Sequence, residues 1–143
     1  MMAGVLAAIL ALAGCSASGP SKADVASVEE SLATMPPGWS LVYVDGGSSS
    51  TEGLSRYLSI GAKHRGEISD DDLSALVLSL VDAVPSSARY KILFTAMFDS
   101  VDEPLADITA QARDIGLDGQ TGMHESEIYG TRAELKAALE SRP

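Results

Sequence analysis

Leu54-Ser55-Arg56-Tyr57-Leu58-Ser59-Ile60-Gly61-Ala62-Lys63 decides the fold, because it fits two templates. Leu54, Tyr57, Leu58, Gly61 and Ala62 recur at helical spacing, whereas Leu54, Leu58, Ile60 and Ala62 nearly satisfy the alternation of a strand. Ser55, Ser59 and Gly61 are poor helix residues, which favours the strand. Trp39–Asp45 is a second short apolar run, with Trp39, Leu41 and Tyr43 on one side and Ser40, Val42 and Val44 on the other. Residues 39–63 then form a hairpin around a long Ser/Gly loop that begins at Gly46-Gly47. A helix at 54–63 would instead imply a small parallel α/β sheet.

The flanking segments are easier to read. Ser69 stands as N-cap before Asp70-Asp71-Asp72, where the helix dipole favours anions. Leu73, Leu76, Val77, Leu80, Val81 and Val84 follow at helical spacing, and Pro85 ends the run. The triple aspartate therefore reads as helix capping. Arg89–Asp99 alternates strictly, with Tyr90, Ile92, Phe94, Ala96 and Phe98 on a core face. Its other face, with Leu93 and Met97, is mixed, as in a sheet covered on one side only.

A further helix is expected from Pro104 to Ile115, closed by Gly116. A polar edge strand is expected at Met123–Tyr129, and a last helix is opened by Thr131 with Glu134 in a capping box. Lys22–Thr34 is a first helix with a narrow Val25, Val28, Leu32 stripe, stopped by Pro36-Pro37-Gly38. The order α-β-β-α-β-α-β-α gives an α+β fold: a small antiparallel or mixed sheet of about four strands with helices mainly on one face.

Leu12-Ala13-Gly14-Cys15 closes a run, residues 1–14, that is apolar or small throughout. That run has the length of a signal-peptide core and is shorter than the roughly 20 apolar residues a spanning helix needs. The tetrapeptide resembles the lipobox of bacterial lipoproteins. The resemblance implies a diacylglyceryl group on the Cys15 thiol, cleavage before Cys15, and a mature chain anchored by acyl chains on the extracytoplasmic side of the cell membrane. It divides the chain into a signal peptide (1–14), a lipidated N-terminus with a flexible tether (15–22) and one globular domain (23–143). In general character that domain is similar to small secreted lipoproteins of high-GC Gram-positive bacteria, a resemblance that implies no activity.

Removing 14 of 143 residues leaves 129, enough for one domain with a modest core. All 20 acidic and all 10 basic residues follow Cys15, so the mature part carries the net charge of −10. That balance argues against nucleic acid, which needs clustered Lys and Arg. Cys15 is the chain's one cysteine. Once acylated it leaves no free thiol for a disulfide, a Cys-ligated metal or a Cys nucleophile.

No P-loop, G-x-S-x-G elbow, S-x-x-K, G-x-G-x-x-G or H-E-x-x-H occurs. His64, between Lys63 and Arg65, reads as a surface turn residue. His124 shares a strand face with Ser126, while Glu125 and Glu127 share the opposite one. The four do not converge on one metal, although the two glutamates could hold Ca²⁺ weakly with outside help. No cofactor or metal is expected. The favoured reading is a non-catalytic module that binds an envelope protein or a small ligand. Its expected surface is the sheet face opposite the helices, with Val42, Val44, Tyr57, Leu93 and Met97, unless the first or last helix covers it. The alternative is a small hydrolase or metal-dependent enzyme using His64 or His124.

Overall fold

The structure, a computed structural model, describes residues 19–46 and 57–141. The lipobox with Cys15, the Ser/Gly loop from Gly47 onward, and Leu54 lie outside the described residues. The ambiguous stretch is a strand from Tyr57 onward. Four strands, β1 (Trp39–Asp45), β2 (Tyr57–His64), β3 (Lys91–Phe98) and β4 (Glu127–Thr131), form one sheet in the order β1-β2-β3-β4. β1 and β4 run antiparallel to their neighbours, while β2 and β3 are parallel. The sheet is therefore mixed, and the parallel pair is joined by the helical crossover that parallel neighbours require.

That crossover is α2 (Asp70–Ala83). Ser69 and Asp72 cap it reciprocally: Asp72 N–H donates to Ser69 Oγ at 3.1 Å, and Ser69 N–H to Asp72 Oδ2 at 2.9 Å. The Ser69 backbone N–H donating to that carboxylate, and after it the Ser69 side chain, hold the Asp72 carboxyl below the usual carboxylate range. Leu73, Leu76, Val77, Leu80 and Val81 are buried against Leu58, Ile60, Ile92 and Phe94 on one face of the sheet. α1 (Lys22–Ser31) adds Val28 and Leu32 to this core. α4 (Arg132–Glu140) adds Leu135. Thr131 Oγ1 caps α4 by accepting from Glu134 N–H, but the Glu134 carboxylate turns to Lys91 Nζ, 2.7 Å away, so the expected capping box is only half made.

Two elements differ from expectation. The helix expected from Pro104 is reduced to α3 (Thr109–Asp114). Residues 104–106 instead extend the sheet: Phe98 N–H donates to Pro104 O, Ala106 N–H to Ala96 O, and Leu105 pairs with Met97. Asp107 then breaks the strand, because its Oδ1 accepts from both Thr109 N–H and Thr109 Oγ1. β4 starts four residues later than Met123. Glu127 N–H donates to His124 O and His124 N–H to Glu127 Oε1, which folds 124–127 into a tight turn.

Candidate functional site: the uncovered sheet face

Alternation places one residue set of each strand on the helices and the other set on the opposite face. Among the described residues no helix packs on that second face. Its rows follow from the register. Tyr57, Lys91 and Thr131 form one row, and Ser59, Leu93 and Tyr129 the next. Tyr43, Gly61, Thr95 and Glu127 follow, and then Lys63, Met97 and Leu105. Tyr57, Leu93 and Met97 therefore lie where the alternation puts them.

Val44 does not. The β1–β2 register shifts between Leu41 and Tyr43, leaving Val42 as an extra residue in β1. One inserted residue reverses the parity of everything after it. Val44 accordingly packs against the core, and Tyr43 takes the open face. Gly61 accommodates that ring: a Cβ on Gly61 would collide with Tyr43 Cε1 and stand 2.7 Å from Met97 Cε. Val42, the extra residue, is exposed.

A cleft of about 480 Å³ occupies the β4 side of this face. Tyr57, Leu93 and Tyr129 form its floor, and Thr121, Gly122, Met123 and His124 form its wall. The lining is mainly apolar and the volume suits a small ligand or an anchoring side chain. Lys91 Nζ lies 5.6 Å from the Tyr129 ring centroid, a cation–π distance, and is ion-paired with Glu134. The hydrogen bond from Lys91 keeps the Glu134 carboxyl below the usual range. The wall is pinned by the Glu127 carboxylate, and Gly122 packs on Glu127 so closely that a Cβ would stand 2.6 Å from Glu127 Cβ. Met123, 93% exposed, forms the lip.

The two histidines stand in separate surroundings. His64, expected in a surface turn, is only 5% exposed. As the last residue of β2 it alternates inward, opposite to Lys63, and meets the Trp39 ring edge-on at 4.7 Å. Its Nδ1 is 3.1 Å from Gly66 O and its Nε2 is 3.6 Å from Asp72 Oδ2. It is part of the joint between β2 and α2, which Trp39 Nε1 completes by donating to Asp72 O. His64 lines none of the clefts that His124 borders. His124 stands in the turn before β4 instead of on a strand, and Ser126 is buried beside it. Glu125 and Glu127 also part: Glu127 closes the turn, while Glu125 approaches Asp107. No group of three or more His, Cys, Asp or Glu able to hold a metal ion occurs among the described residues.

Tyr43, Leu105 and Tyr129 belong to the open face but were not singled out by the sequence. For Tyr129, the alternation of Glu127-Ile128-Tyr129 carries the signal once Ile128 is assigned to the core. Tyr43 is hidden by the bulge, and Leu105 by the helical look of Pro104–Ile115. In comparisons with protein-family models, curated proteins and solved structures, nothing matches the chain.

Proposed function

We propose that this chain is a membrane-anchored extracytoplasmic lipoprotein whose domain binds an envelope protein or small ligand through the open sheet face, without catalysis. One observation carries the binding part. The face opposite the helices leaves Tyr43 exposed and Leu93, Met97 and Tyr129 half-buried, and a mainly apolar cleft opens over Leu93 and Tyr129. Side chains of that size are costly to leave in water, and a contiguous patch of them marks an interaction surface. The anchoring part rests on the likeness of Leu12-Ala13-Gly14-Cys15 to a lipobox. Two acyl chains hold a protein stably, at about 0.8 kcal/mol per buried CH₂, where one is marginal.

The two parts are tested separately. Mass spectrometry of the mature N-terminus should find diacylglyceryl-modified Cys15, and an intact Met1 would sink the anchor. Leu93→Asp and Met97→Asp should leave the fold in place by circular dichroism and denaturant midpoint. The same variants should abolish the adducts that the lipidated protein forms on in-cell cross-linking. Unfolding of both variants would mean that the face is core and not surface.

A further inference from the structure

The chain enters the domain at one defined end. Pro20 packs on Gly46, where a Cβ would stand 3.6 Å from Pro20 Cγ, so the described chain starts beside the end of β1. β2 and β3 begin at that end and β4 finishes there. α1 starts there too, since Tyr90 O–H, just before β3, donates to Asp24 Oδ2 in its first turn. Five residue steps separate Cys15 from Pro20. Fully extended they reach about 17 Å, less than the length of an eight-residue strand, about 25 Å.

Charge is divided along the same axis. Among the described residues at the entry end, Lys22, Arg89, Lys91 and Arg132 stand with Asp24, Asp45, Asp82 and Glu134, a balanced set. At the far end Asp70, Asp71 and Asp72 open α2, and Asp99, Asp102 and Glu103 occupy the turn after β3. Asp107 and Glu125 lie beyond them, by the loop before β4, and among the described residues Lys63 and Arg65 at the end of β2 and Arg113 on α3, itself paired with Asp114, are the cations that oppose this set. An anionic surface repels the far end and tolerates the entry end, most strongly within a Debye length of the headgroups.

We propose that the entry end, with Pro20, Gly46, Arg89 and Lys91, is apposed to an anionic bilayer, and that the acidic end with the 121–126 loop points away from it. The proposal rests on the reading of Cys15 as a lipid anchor. The sheet then stands upright on the membrane, and its open face looks sideways. That geometry suits a partner standing beside the protein on the same membrane and not one lying beneath it.

The test uses the full lipidated chain reconstituted in vesicles of equal parts phosphatidylglycerol and phosphatidylcholine carrying a headgroup quencher. With the Cys15 thiol alkylated, Ser87→Cys or Asp102→Cys supplies the one labelling site. Ser87 is exposed at the entry end and Asp102 at the far end. A fluorophore on Ser87→Cys should lose most of its emission, and one on Asp102→Cys should keep the emission it has on quencher-free vesicles. Equal quenching at the two sites, or the reverse order, overturns the orientation while the anchor stands. An intact-mass spectrum without the diacylglyceryl group overturns both.

Discussion

Gly61 shows what a single residue does on the open face. Its missing side chain lets the Tyr43 ring lie flat across β2 against Met97. In Gly61→Ala the new methyl takes that space, and the ring, already 38% exposed, swings outward. Overpacking of this kind costs about 1–3 kcal/mol, and the ring's freedom to leave keeps the loss near the low end. The expected result is a lower urea midpoint with an unchanged slope and loss of the NMR contact between the Tyr43 ring and residue 61. A seated ring at an unchanged midpoint would contradict this account. Tyr90 is the residue where pH reports structure. Burial first, then the Asp24 carboxylate that accepts its hydrogen bond, pushes its hydroxyl up from 10.0 to about 12. Its neutral form is favoured in the folded state, so the contribution is complete below pH 10 and is lost as the pH rises through about 12. Stability measured over that window should fall more steeply in the wild type than in Tyr90→Phe.

At the scale of elements, α2 ends on an interaction that its own sequence does not contain. Arg132, at the start of α4, donates through Nε to Val81 O at 2.9 Å and Val84 O at 3.1 Å. The last turn of α2 holds no basic residue, so this guanidinium meets the carbonyl end of the helix dipole. Arg132→Ala should cost about 2 kcal/mol in chemical unfolding, the range for hydrogen bonds to a charged group, and Arg132→Lys should recover only part of it. The elements themselves were readable wherever local chemistry names them. Ser69 with three aspartates, the alternation through Phe94 and the poor helix residues of 54–63 all point the right way. What stayed hidden depends on partners distant in sequence. The bulge at Val42 has no Gly or Pro to announce it, so simple alternation puts Val44 on the wrong face. Pro104 suits a first helical turn as well as an edge strand, and pairing with Met97 decides for the strand. His64 is carried inward by the parity of β2, although its neighbours Lys63 and Arg65 suggest a surface turn.

At the scale of the whole molecule, the helices bury one face of the mixed sheet, and the other face carries an exposed Tyr43, half-buried Tyr57 and Tyr129, and a cleft. That asymmetry is the feature on which the proposed binding role rests. A photo-cross-linking amino acid at Leu93, on the open face, compared with one at Leu78, exposed on the outer side of α2, probes it in living cells. Both variants keep Cys15, so both should be anchored alike. The proposed role requires a discrete adduct from position 93 and none from position 78; adducts from position 78 alone, or the same pattern from both, would contradict it.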